Sequence, residues 1–207
     1  MSTTEKIYFY PVWLRIWHGL NAIGILTLIV TGISMQSSVE SSLVVGFNLI
    51  VNLHNVAGIL VTLSYSVFFI GNLVTTNGKF YIVKPKGFLK RPIQQAIYYS
   101  WGMFHGMKAP YPLSAKRKFN PLQKYSYILV MYLAVPIVII TGLGLLFPEI
   151  IIEKVYSFSG VFVTAVLHSA MGFFISIFLI VHLYIASIGK SPLDNFKSII
   201  TGWHELH

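Results

Sequence analysis

The sequence contains no cysteine. That excludes disulfides, cysteine-held iron–sulfur clusters and thiolate-ligated haem. Acidic residues are scarce as well, six Asp or Glu against fifteen Lys or Arg in 207 residues. None of the six lies in a long apolar run, whereas an ion or proton path built on carboxylates would need them there. Charged residues make up only 10% of the chain, hydrophobic ones 55%, and the mean hydropathy is +0.71. A chain of this size cannot bury so much apolar surface in a water-soluble core. It is read as an integral membrane protein. The net charge of +9 does not call for nucleic acid, because the basic residues collect in one connection between apolar runs.

Four such runs are present, at about residues 11–35, 43–73, 125–147 and 159–189, each long enough to span a bilayer. Met1 to Tyr10 lacks the positive n-region and small-residue cleavage site of a secretory signal, so the first run is expected to stay. The connection from Thr75 to Lys124 carries ten Lys or Arg and no acid, which places it in the cytoplasm with both termini. The turns around Glu40 and around Glu149, Glu153 and Lys154 then face outward. Within the long connection, Ile93, Ile97, Trp101 and Phe104 recur at roughly helical spacing among polar residues, predicting a helix over 91–104 on the membrane surface. Pro136 should kink the third span or open room beside a cofactor, or is simply tolerated there. The expected fold is an all-α membrane protein: a single domain over 1–207, a four-helix up-down bundle plus the interfacial helix.

The fourth span organises the rest, because it carries His168 near one end and His182 near the other. Fourteen residues are close to four turns, so both imidazoles leave one face about 21 Å apart. By depth, His18 shares the cytoplasmic level with His182, and His54 shares the outer level with His168. Two imidazoles saturate a haem iron and favour electron transfer over oxygen binding. Zinc and copper sites usually gather three or four ligands at one depth, which a two-plus-two distribution does not offer. Gly19, Gly58 and Gly172 would let a flat macrocycle approach the backbone, although glycine is common in packed membrane helices. Arg15 suits either a haem propionate or a snorkelling membrane anchor. His105, His204 and His207 lie outside the spans and are read as solvated.

Several stretches resemble one family. Arg15-Ile-Trp-His18 with Asn21 and Leu28-Ile-Val-Thr-Gly32, then Lys118-Phe-Asn-Pro-Leu-Gln-Lys124, then His168-Ser-Ala-Met-Gly172 with His182-Leu-Tyr184 look like the dihaem cytochrome b subunits of respiratory formate dehydrogenases, nickel-iron hydrogenases and thiosulfate reductases, which are bacterial cytochrome b561-like proteins. The resemblance covers essentially the whole chain. It implies two b haems, one held by His18 and His182 and the other by His54 and His168, in agreement with the pairing by depth. It further implies a prokaryotic cytoplasmic membrane, an outward-facing iron–sulfur or multihaem partner subunit, and reaction with menaquinone or ubiquinone near the cytoplasmic side. Carried over by position, Asn120, Gln123 and Lys124 become candidate quinone contacts; the same stretch can be read as a turn, a helix start and lipid-phosphate anchors. Many members carry tryptophan directly after the first histidine, where this chain has Gly19. No catalytic side chain is singled out. Competing readings are a haem-free transporter relaying protons or ions through the histidines, and a structural anchor of a complex.

Overall fold

Without water in a bilayer core, every backbone polar group must bond within its own segment, and helices satisfy that requirement. The computed structural model describes residues 6–37, 46–83, 87–114, 117–189 and 191–205. Four of its helical stretches are long and apolar enough to cross a membrane. They are α1 (Val12–Ser37), α2 (Phe47–Val74), the third span over Pro121–Leu146, and α6 (Gly160–Ala186). The third span is built from α4 (Pro121–Leu129), a π turn over Val130–Ala134 and α5 (Val135–Leu146). Glu40, Lys190 and His207, which figured in the expected loop, helix end and tail, lie outside the described residues, as do 43–45 of the second run.

Hydroxyls inside the spans are satisfied by back-bonding one turn away, Thr27 to the Ile23 carbonyl, Thr62 to Gly58 and Ser176 to Gly172. Ile23, Leu63, Ile140 and Ile180 stay exposed, the lipid-facing perimeter of a membrane helix bundle. The third span starts four residues earlier than its hydropathy suggested. Asn120 and Gln123 form a reciprocal capping box there, and Pro121 occupies the first turn, where its missing N–H costs nothing. Pro136 does distort the span. Its ring crowds the carbonyl four residues back, and the wider π turn lies immediately before α5.

The chain divides into two compact units. One comprises the described residues of 16–69 and 133–182, the greater part of the four spans. In it, Trp17 stacks on Phe68 at 4.4 Å, Asn21 donates to Ser64 at 2.6 Å, Gly24 meets Val61, and Thr31 meets His54. Each of these pairs of residue numbers sums to 85, so α1 and α2 run antiparallel in one fixed register. Thr141 and Gly144 of α5 likewise meet His168 and Thr164 of α6.

The other unit holds the described residues of 1–15, 70–132 and 183–207. Strand β1 (Lys6–Tyr8) pairs antiparallel with β4 (Trp203–Glu205), and Lys6 and Glu205 close an ion pair of 2.8 Å. The hairpin that joins β2 (Lys154–Val155) to β3 (Phe158–Ser159) ahead of α6 belongs instead to the first, four-span unit. Helix α7 (Asp194–Thr201) ends at Gly202, whose φ of 90° only glycine adopts readily and whose carbonyl receives the N–H groups of Phe9 and Tyr10. The surface helix of the long connection is α3 (Lys90–Ser100), shorter than the expected 91–104 because a 3-10 turn over Gly102–His105 replaces its last part.

Candidate functional site

Two histidine pairs form inside the four-span unit. The rings of His18 and His182 have centroids 6.3 Å apart, and those of His54 and His168 are 6.2 Å apart. A metal–imidazole nitrogen bond of about 2 Å, plus about 1.1 Å from nitrogen to ring centre, sets two imidazoles on opposite sides of a metal roughly 6 Å apart. Both pairs match that spacing. Among the described residues no group of three or more His, Asp or Glu could hold a metal ion. Each pair therefore suits a metal that brings its remaining ligands with it, as haem iron does.

The His54–His168 pair is oriented by two threonines. Thr31 Oγ1 lies 2.8 Å from His54 Nδ1, and its own hydrogen goes to the carbonyls of Thr27 at 2.6 Å and Leu28 at 3.3 Å. Thr141 repeats the arrangement, 3.0 Å from His168 Nδ1 and bonded to the Ile137 carbonyl at 2.7 Å. A hydroxyl whose hydrogen is committed to a backbone carbonyl accepts from the imidazole. Each Nδ1 therefore carries the proton, and each Nε2 keeps the lone pair a metal needs. The residue after each threonine is glycine. A Cβ on Gly142 would come within 3.0 Å of His168 Cε1, and one on Gly32 within 3.6 Å of His54 Cε1.

Aromatic rings flank the His18–His182 pair. Phe178 stacks on His182 at 5.7 Å with planes 17° apart, and Trp17 presents an edge to His18 at 6.5 Å. Nothing lies within 4 Å of a Cβ built on Gly19 or Gly172, so both leave open space, whereas Gly58 packs against Leu28. Two buried donors on α1, Arg15 Nε and Trp17 Nε1, have no hydrogen-bond partner among the described residues, and both lie within three residues of His18. Arg15 also donates from Nη1 to the Thr201 carbonyl at 3.1 Å. Buried donors without acceptors fit the acidic edge of a haem.

The Lys118–Lys124 stretch lies in the other unit. Asn120 is 4% exposed; its Oδ1 accepts from the Gln123 N–H at 2.9 Å and its Nδ2 donates to the Tyr99 hydroxyl at 2.8 Å. Asn120 and Gln123 both line a cavity of about 660 Å³, shared with Gln95, Tyr98, Tyr99 and His204. Burial raises the Tyr99 pKa, the neighbouring Tyr98 raises it further, and amide hydrogen bonds from Asn120 and Gln95 oppose both. Lys124 is not in that wall; its Nζ donates to the Ile82 carbonyl at 3.1 Å.

Family comparison settles the class. The sequence profile described as prokaryotic cytochrome b561 matches residues 9–202. The chain belongs to the prokaryotic cytochrome b561 family. A relative in Escherichia coli (strain K12), YdhU, named provisionally as a cytochrome, is 33% identical over 201 residues, 97% of this chain and 75% of its own length. This cytochrome is accordingly an inner-membrane protein that binds b-type haem and transfers electrons across the membrane.

Several residues of this cytochrome escaped the sequence reading. Thr141, the partner of His168, sits in Ile139-Ile-Thr-Gly-Leu143, which parallels Ile29-Val-Thr-Gly-Ile33 around Thr31. Comparing the first and third spans would have exposed that repeat. Lys118 is only 2% exposed. Its Nζ donates to Asn77 Oδ1 at 3.0 Å and lies 4.7 Å from the Tyr10 ring, and burial lowers its pKa to about 8. Burial also pushes Tyr10 up to about 12. His204, read as solvated, is half-buried on β4, 3.2 Å from Ser198 Oγ, and forms part of the cavity wall. No local pattern marks it, because strand pairing across nearly the whole chain puts it there. His105 does lie exposed, stacked on Trp101 at 4.0 Å.

Proposed function

We propose that this cytochrome holds two b haems, one between His18 and His182 and one between His54 and His168, and carries electrons between an outward-facing redox partner and the membrane quinone pool. The two ring separations of 6.3 and 6.2 Å carry the proposal. Bound haem supplies one-electron redox chemistry. The protein's own contribution is to fix the imidazoles: Thr31 and Thr141 hold His54 and His168 in the ligating tautomer, while Phe178 fixes the plane of His182. Arg15 and Trp17 offer donors to the propionate edge. The match of one family profile to residues 9–202 supports reading both units as a single membrane domain.

Quinone, as menaquinone or ubiquinone, is assigned to the cavity lined by Asn120 and Gln123. Its volume of about 660 Å³ suits a ring-sized ligand. Lys124 adds positive charge to this stretch without entering the wall. The basic connection argues for cytoplasmic termini, which puts quinone chemistry on the cytoplasmic side and the His54–His168 level outside. Electron movement inward against an inside-negative potential stores about 2.3 kcal/mol per 100 mV. With no cysteine for an iron–sulfur cluster in this sequence, the donor or acceptor is a separate subunit of iron–sulfur or multihaem type.

A reduced-minus-oxidised spectrum with haem quantification should give two b haems per chain, and a naphthoquinone or benzoquinone should reoxidise the reduced protein. A ratio of one haem, or reduced protein indifferent to either quinone class, would contradict the corresponding half of the proposal.

A further inference from the structure

Reducing a quinone takes protons as well as electrons, because both carbonyl oxygens become hydroxyls. The haems supply only electrons, so a proton source has to stand at the cavity. The titratable side chains of its wall are Lys6 and Glu205, Asp194 and Lys197, Tyr98, Tyr99 and Tyr111, and His204. Lys6 and Glu205 hold each other in an ion pair. Asp194 Oδ2 accepts the Ser191 N–H at 2.8 Å, the Tyr111 hydroxyl donates to Gln94 at 2.6 Å, and burial carries Tyr99 further from neutral. Amines, carboxyls and phenols as classes exchange protons well away from neutral pH, whereas imidazole exchanges there. His204 is the one imidazole among the described residues of the wall.

Its placement suits the task. Strand β4 reads exposed, half-buried, exposed, so the pleat turns His204 inward between Trp203 and Glu205. Nδ1 lies 3.2 Å from Ser198 Oγ, and the Ser198 hydrogen goes to the Asp194 carbonyl at 2.8 Å. The hydroxyl therefore accepts from Nδ1–H, which fixes the ring and makes Nε2 the nitrogen that gains and loses a proton. Lys6 and Glu205, paired across β1 and β4, keep 57% and 48% of their side chains exposed, so water reaches the wall beside His204. The same wall includes Ile185, three residues after His182. We infer that His204 is a catalytic residue of this cavity, the acid that gives a proton from Nε2 to a quinone oxygen as electrons arrive from the haems. The inference rests on the quinone reading of the cavity and adds to it the group that performs the proton chemistry. Two one-electron transfers from ferrous haem reduce the quinone; one oxygen takes the Nε2 proton, the other takes a proton from water, and quinol leaves. The His204 imidazolium becomes neutral, keeps Nδ1–H, and is reprotonated from water at the Lys6–Glu205 rim.

The test is stopped-flow reoxidation of the chemically reduced, haem-loaded full-length protein by a naphthoquinone with one isoprene unit. Neutral His204 has no Nε2 proton to give, so the wild-type rate should fall as pH rises from about 6 to 8. His204→Gln keeps a polar side chain that does not titrate. It should slow reoxidation at neutral pH by roughly a hundredfold, the lower end of what a positioned acid contributes, and flatten the pH profile. The half-saturating quinone concentration should stay within about twofold, and the haem spectra and potentials should not move. His204→Ala should be equally slow and should recover with added imidazole, which occupies the vacated space and brings a proton to the same place. A wild-type rate and pH profile in both variants would overturn the assignment. So would a rise in half-saturation without imidazole rescue, or loss of haem from both variants, because either makes His204 a structural part of the wall. If reduced wild type is indifferent to the quinone, the quinone reading itself fails and this inference with it.

Discussion

The two histidine pairs have nearly the same ring separation, yet the protein holds them by different means. His54 and His168 each rest on a threonine hydroxyl that is itself pinned to a backbone carbonyl, with a glycine beside it. Around His18 and His182 aromatic rings pack closely, Phe178 stacked on one and Trp17 edge-on to the other. Hydrogen bonding to Nδ1 makes the imidazole a stronger electron donor and stabilises the ferric state, whereas stacking fixes orientation with less electronic effect. One bundle can thus give two chemically alike centres different potentials.

Substitutions can break that contrast, beginning with the most damaging. Gly142→Leu would drive a side chain into His168 Cε1 and should remove the haem of that pair, so that haem content falls by about half while the His18–His182 signal persists. Thr31→Val or Thr141→Val comes next. Each removes the hydroxyl acceptor beside a ligand Nδ1–H and weakens donation, and should raise the potential of the His54–His168 haem by an amount on the order of 1 kcal/mol, roughly 40 mV for one electron. Potentiometric titration should leave the second haem unmoved, and Thr31→Ser should behave as wild type. Phe178→Leu should act only on the His18–His182 haem, costing about 1 kcal/mol of thermal stability with a smaller shift in potential.

Lys118 provides the case with no expected effect on either pair. Burial lowers its pKa from 10.5 to about 8, so between those values the unfolded chain binds more protons than the folded one and stability rises with pH. Above about pH 10 the raised tyrosine pKa values, Tyr10 among them, act in the opposite sense, because unfolded tyrosines ionise first. The melting temperature should climb from pH 8 to about 10 in wild type and stay flat over that range in Lys118→Met, with both haem spectra unchanged. A haem shift in that variant would mean that the pairs are not insulated from the polar network of Asn72, Asn77 and Lys118.

Hydropathy alone located the four spans to within a few residues, because a bilayer demands one long apolar helix per crossing and little else in the chain resembles one. Which histidines come face to face could be anticipated by counting along those helices, and the α1–α2 register shows why: antiparallel helices in fixed register turn sequence distance directly into position along the bundle. The start of the third span was less legible from apolar composition, since polar capping at Asn120 and Gln123 carries the helix beyond the apolar run. Thr141 was hidden because a hydroxyl in a span usually back-bonds and signals nothing. Its role appears only when α5 and α6 are packed. The cavity was least accessible of all. Its wall draws Gln95 from the long connection, Asn120 from a helix cap and His204 from a strand near the C-terminal end, a set that no local pattern in the sequence groups together.

The central claim is the pairing of the histidines, and haem quantification with redox spectra of the four single variants His18→Ala, His182→Ala, His54→Ala and His168→Ala tests it most directly. Two patterns are predicted: His18 and His182 variants lose one and the same spectral component, His54 and His168 variants lose the other, and each retains about half the haem. A component lost in common by His18 and His168 variants, or full haem content in any of the four, would contradict the account.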